Sequence, residues 1–198
     1  MASTSIDPSE LLPLPAWELA RAERRTRVIA LRAARRVEVG PHVSLVFENR
    51  ETVLDQIQEM LRVERITAPD LVRREIEAYS DLLPGPGELS GTLFIEIADA
   101  EQRREVLSGL GGIEREVSFQ SAGRALSRAQ DKCPIDPRIE IPGRAAAVYY
   151  LRFAFTGEGR AAFAAGAEPL WLTIAHPLYR HAAALTPEQR ACLAADWK

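Results

Sequence analysis

Pro84-Gly85-Pro86-Gly87 is the segment that most constrains this chain, because neither a helix nor a paired strand runs on through two prolines and two glycines. The residues on its two sides follow different periods. Upstream, Trp17–Arg36 contains no Gly or Pro and is rich in good helix formers, which predicts a helix. Its apolar positions Trp17, Ala20, Val28 and Leu31 share one side, and Arg24 falls on the same stripe. An Arg there is costly unless a carboxylate meets it. Val37–Phe47 switches to period two after a Gly40-Pro41 break, which predicts a strand pair or one bent strand. Arg50–Ile66 returns to a helical period through Val53, Ile57, Met60, Leu61 and Glu64. Asn49 is its expected N-cap, with Thr52 and Asp55 as an alternative one turn later. Ala68–Leu83 reads as another amphipathic helix, and residues 1–16, with Pro8, Pro13 and Pro15, as a flexible lead-in.

Downstream, strands at Leu93–Ile97, Ile113–Phe119, Ala147–Phe155 and Leu170–His176 alternate with helices at Ala100–Leu110 and Glu158–Ala165. A final helix, Pro187–Asp196, follows Thr186 as N-cap. Gln120–Arg144 is polar and carries Pro134, Pro137 and Pro142, so it reads as a loop. Two stretches, beginning at Phe94 and at Arg152, repeat one order of strand, turn, helix, Gly, strand. Two such units predict an α+β fold: N-terminal helices with a β-hairpin over residues 17–87, leaning on a ferredoxin-like βαββαβ antiparallel sandwich over residues 88–198. The two segments are expected to form one compact unit.

Composition excludes several classes. No apolar run nears the roughly 18–20 residues of a membrane span. The first residues lack the basic region of a signal peptide. Two cysteines, Cys133 and Cys192, are too few for a disulfide framework, a zinc knot or an iron–sulfur cluster. Cys133 has no His or basic cluster near it in sequence and reads as an inert thiol. A cytoplasmic chain needing no metal or cofactor is the expectation.

Of 25 basic residues, 23 are Arg, and Trp17–Arg36 holds seven of them against two Glu. Glu48–Glu77 holds eight acids against five Arg. Neighbouring blocks of opposite sign satisfy each other most simply inside the fold. Nucleic-acid binding through the Arg-rich helix is disfavoured, because the sequence pI is 5.7 and no aromatic interleaves the run.

The densest polar chemistry lies in Glu48, Asn49, Arg50, Gln56, Gln58, Glu59 and Glu64, with Glu18, Arg21 and Arg25 as partners on the first helix. One reading is a structural ion-pair network; the other is a pocket for an anion or metal. His176, at a strand end before Pro177, and Tyr179 form a weaker candidate, against a histidine satisfied by backbone. The glycines at 109, 111 and 112 follow a helix, where phosphate loops do not lie.

The spacing Trp17-Glu18-x-x-Arg21-x-x-x-Arg25, the block Phe47-Glu48-Asn49-Arg50-x-Thr52 and the run Gln56-Ile57-Gln58-Glu59-Met60-x-Arg62-x-Glu64 resemble a bacterial family, domain of unknown function 3501. Tyr150-Leu151-Arg152-Phe153, His176-Pro177-x-Tyr179 and the terminal Ala195-Asp196-Trp197 extend the resemblance. The family carries no established activity. The resemblance implies, by gene association alone, a non-catalytic accessory or binding protein of a redox or oxidative-stress module, with rubrerythrin-like or iron–sulfur partners. The alternatives are an enzyme or metal-dependent protein using the Glu/Gln/Arg cluster, or nucleic-acid binding through the Arg-rich helix.

Overall fold

The computed structural model describes residues 5–131 and 143–197. The chain runs α1 (Leu14–Ala34), β1 (Arg36–Val39), β2 (Val43–Glu48), α2 (Arg50–Val63), α3 (Pro69–Ser80), β3 (Glu88–Ile95), α4 (Ala100–Gly109), β4 (Val117–Ser121), β5 (Arg124–Asp131), β6 (Val148–Ala154), α5 (Gly157–Ala165), β7 (Leu170–His176), β8 (Tyr179–Ala184) and α6 (Pro187–Ala194). The α+β composition matches expectation; the ferredoxin-like sandwich does not. The strands form one antiparallel sheet in the order β1-β2-β3-β6-β5-β4-β7-β8, curled into a nearly closed barrel.

Two strands were hidden from the sequence pattern. Gln120–Arg144 begins with the end of β4, then a turn at Ala122-Gly123, then β5. The β5 sequence RALSRAQD has one face in solvent and a nearly apolar-free alternation, so its period is faint. β8, YRHAAA, is likewise mostly exposed, and only a two-residue turn separates it from β7. With β1 and β2 added from upstream of Pro84, four expected strands become eight, and a strongly twisted sheet of that width curls. The predicted strand Ile113–Phe119 also shortens, since Ile113–Glu116 is a 3-10 turn. The proposed inertness of Cys133 lies outside the described residues.

The internal repeat survives as topology. β3-α4-β4 and β6-α5-β7 each cross three places in the sheet order. Because Glu88 pairs with Ala154 and Phe94 with Val148, β3 ends where β6 begins. The two helices therefore plug opposite ends of the barrel, α4 with Leu107 and α5 with Phe163.

Alternation places Val43, Leu45 and Phe47 of β2, Leu89, Leu93 and Ile95 of β3, and Tyr149, Leu151 and Phe153 of β6 in the interior. Phe47, Phe119, Phe153, Phe155, Phe163 and Trp197 stack there in a chain of tilted and edge-on contacts, with centroids 4.9–6.0 Å apart. The Trp197 Nε1–H also donates to the Glu88 carbonyl at 3.0 Å, which ties the C-terminal turn to the barrel.

β1 and β8 end the sheet order and lie against each other. The Tyr179 hydroxyl closes this seam, donating to the Val39 carbonyl at 2.8 Å and accepting from the His42 and Val43 N–H groups at 3.0 and 3.1 Å. Gly40 makes the approach possible: its φ is +78°, and a Cβ there would lie 2.5 Å from the His181 ring. At the other end, the wholly buried Arg35 donates to the Phe47 and Glu48 carbonyls at 2.7 and 3.1 Å and pairs two-pronged with Asp196.

Outside the barrel, α1 and α2 cover the outer face of β2, β3 and β6. This is why every residue of β2 is buried although its inward positions alone face the core. Val53, Ile57 and Leu61 of α2 join Ile76, Leu82, Leu83 and Ile6 in a second apolar cluster.

Candidate binding cleft

α2 is started firmly. The Asn49 carboxamide accepts from the Thr52 N–H at 3.0 Å, and the Thr52 hydroxyl accepts from the Asn49 N–H at 2.9 Å, a reciprocal box at the helix N-terminus. That box fixes the first turn of α2 against the last residue of β2, Glu48. The Glu48 side chain points outward and is only 4% exposed. One hydroxyl holds each of its carboxylate oxygens: Thr52 donates to Oε2 at 2.6 Å and Thr92 to Oε1 at 2.9 Å. Among the described residues no cation forms an ion pair with it.

Glu48 lies on the lining of a cleft of about 500 Å³ between α1, α2 and the outer sheet face. α1 gives it Arg25, Val28, Ile29 and Arg32, and α2 gives Asp55, Gln56, Glu59 and Met60. Thr92, Phe94, Val148 and Tyr150 line it from the sheet, in register: Thr92 is paired with both Val46 and Tyr150, and Phe94 with both Ser44 and Val148. Charge in the cleft is unevenly met. Glu59 is fully engaged, accepting from Arg21 at 2.7 and 2.9 Å and from the Trp17 indole at 3.0 Å, and these bonds hold its carboxyl below the usual range. Asp55 is half-buried, and burial pushes its carboxyl up against the pull of Arg32 and Arg25. Among the described residues the buried Arg32 Nε–H has no acceptor, and the guanidinium reaches only the Thr52 carbonyl, at 3.4 Å.

The structure thus brings Arg25, Glu48, Gln56 and Glu59 of the expected polar cluster to one cleft, with Arg21 behind Glu59. The remaining members serve elsewhere. Glu18 pairs with Arg62 at 2.8 Å near the surface. Arg50 turns to Glu10 and the Ser5 carbonyl in the lead-in. Gln58 is buried on the other side of α2, where its amide grips both the N–H and the carbonyl of Leu12, at 2.8 and 2.9 Å. Glu64 is exposed at the end of α2. The Arg24 expectation is corrected: it sits exposed, 5.9 Å over the Trp17 ring, and the partly buried ion pair of this helix is made by Arg21. Arg24 flanks the contact with α2 instead of entering it. Arg32, Asp55, Thr92 and Tyr150 were missed as site residues. Arg25 and Arg32, seven apart, share a helix face, and that spacing was the available signal.

His176 and Tyr179 lie away from the cleft, at the α4 end of the barrel. His176 is buried, with Nδ1 accepting from the Leu178 N–H and Nε2 against the Gly111 carbonyl, both at 3.2 Å. Two backbone partners specify the Nε2–H tautomer and leave no ring nitrogen for a ligand. Among the described residues no group of three or more His, Cys, Asp or Glu is arranged to hold a metal ion, and no helix is long and apolar enough to cross a membrane.

A family model described as a protein of unknown function, DUF3501, matches residues 5–197. The chain belongs to this family. A solved structure from Burkholderia pseudomallei K96243, described as a novel protein of unknown function, is 34% identical to this DUF3501 chain. The likeness covers 98% of this chain and 100% of that one, with a TM-score of 0.87. The barrel and its helical cover are therefore a shared architecture of the two proteins. No curated protein matches the chain.

Proposed function

We propose that the protein is a non-catalytic binding protein that holds a small molecule with a cationic group in the cleft over Glu48. One observation carries this reading: the Glu48 carboxylate is buried at the cleft, oriented by two hydroxyls and ion-paired with no cation among the described residues. A buried carboxylate is costly until a cation meets it, so the cleft is built to gain from an organic ammonium. Val28, Ile29, Met60 and Phe94 supply the apolar walls such a molecule needs for its carbon skeleton.

An enzyme would use the same residues differently. The Thr92 hydroxyl on Glu48 has the contact of a nucleophile on its base. Binding is favoured because Thr52 holds the other Glu48 oxygen, which makes the carboxylate a fixed acceptor rather than a proton shuttle. Nucleic-acid binding through the Arg-rich stretch Trp17–Arg36 loses much of its charge, since four of its seven Arg, Arg21, Arg27, Arg35 and Arg36, pair with Glu59, Glu51, Asp196 and Glu96. The accessory role beside a redox or oxidative-stress system, with rubrerythrin-like or iron–sulfur partners, rests on the family resemblance alone.

Thermal-shift and calorimetric titration with n-propylammonium, against sodium as the cation control, tests the binding reading. The expected result is saturable binding by wild type that Glu48→Gln abolishes while the unliganded variant melts within a few degrees of the parent. The absence of binding, or binding unchanged in Glu48→Gln, overturns it.

A further inference from the structure

The cleft holds a second unmet group. The Arg32 Nε–H is buried with no acceptor among the described residues, and its guanidinium makes one long bond to the Thr52 carbonyl. A buried guanidinium edge left this way is costly, and its planar fork suits an oxyanion presented side-on. Asp55 does not fill the role: Arg32 acts on it across a distance, and no ion pair joins them. Glu59 is taken by Arg21 and Trp17. Glu48 is not within pairing distance either, although Thr52 touches both, its carbonyl facing Arg32 and its hydroxyl facing Glu48.

The cleft therefore displays two groups of opposite sign, a buried Glu48 carboxylate with no ion-paired cation among the described residues and a partly buried Arg32 guanidinium whose buried Nε–H has no acceptor among them, with apolar side chains around both. Neither a simple amine nor a simple carboxylate satisfies both. We infer that the ligand is a zwitterion, an ammonium joined by a short carbon chain to a carboxylate or phosphate, with the ammonium on Glu48 and the oxyanion on Arg32. This rests on the binding reading above and narrows it to a ligand class. Arg25, exposed on the same helix face and also lining the cleft, adds positive potential on the side where the oxyanion enters.

The test compares probes that differ only in the second pole. 4-Aminobutyrate carries the n-propylammonium unit plus a carboxylate, and 3-aminopropylphosphonate replaces the carboxylate by a phosphonate, which stands for a phosphate. Wild type is expected to bind at least one of the two zwitterions about tenfold or more tightly than n-propylammonium, the gain of a charge-assisted hydrogen bond. The better of the two names the oxyanion. Arg32→Met is expected to bring the zwitterion and amine affinities to within about twofold of each other. Arg32→Gln, which keeps a neutral donor, is expected to fall between. Where n-propylammonium binds through Glu48 but neither zwitterion binds more tightly, or Arg32→Met keeps the preference, the inference fails and the binding reading stands. Where nothing binds, both fail.

Discussion

Phe47 and Glu48 are neighbours in the chain, point to opposite faces of β2, and live under opposite rules. Phe47 enters a barrel interior filled by aromatic and aliphatic side chains, with nothing left to satisfy. Glu48 enters an interface where charges outnumber their local partners. The inner face is a packing problem solved, and the outer face is a polar surface covered by two helices and only partly neutralised. Stability is expected to reside in the first and specificity in the second, which is how a site tolerates unmet charge without unfolding its scaffold.

The comparison breaks most visibly from the inside. Phe153→Ala removes a wholly buried ring that touches Phe47 and Phe119, and is expected to cost about 3–5 kcal/mol. Denaturant unfolding checks this. A loss below about 1 kcal/mol, the scale of an ordinary mutation, would mean that the interior is not the stable half of the molecule.

The seam is the next weakest point. Tyr179→Phe keeps the ring but leaves the Val39 carbonyl and two N–H groups at β1–β2 without their partner. About 1–3 kcal/mol is expected, the cost of buried groups left unsatisfied. Amide exchange should accelerate first at His42 and Val43. Exchange unchanged there would show that the barrel closes by packing alone.

How much of this was legible in the sequence depended on whether one face of an element was dry. α2 and β2 were readable because Val53, Ile57 and Leu61, or Val43, Leu45 and Phe47, keep strict periods against a core. β5 and β8 were not, because most of their outward residues are exposed and their inward ones are few or small, as with Ala129 and Ala183. Missing them turned a barrel into a sandwich. The cleft was half legible: charge density marked Glu48, Gln56, Glu59 and Arg25, but Thr92 and Tyr150 arrive through strand register some 40 to 100 positions away. Arg24 misled because a helix stripe fixes which residues share a side, not how wide the buried strip is. Trp17 and Val28 are the buried residues of α1, and Arg24 between them stays in water. Arg24→Ala is accordingly expected to cost about 0.5–1 kcal/mol, the exposed cation–π range, by denaturant unfolding. A cost near 3 kcal/mol would restore the buried-pair reading.

The smallest effect is one of sign, and it sharpens the outer half of the comparison. Glu59 is held below its usual range by Arg21, so its contribution is complete above about pH 4.5 and is lost as pH falls through its folded value. Asp55 runs the other way. Burial raises its carboxyl, so the folded chain takes up a proton before the unfolded chain does, and stability is gained as pH falls from that raised value toward 3.8. In the wild type the two slopes oppose each other on the acid side. Asp55→Asn removes the gain and should steepen the acid loss, while stability near neutral pH rises because a penalised charge is gone. Glu59→Gln removes the loss and should flatten the acid limb or turn it upward. Urea midpoints collected between about pH 3 and pH 6 separate the cases. Equal steepening by both substitutions would mean that the two carboxylates titrate as one paired unit, and that the cleft is a closed ion network instead of a surface holding a charge in reserve for a ligand.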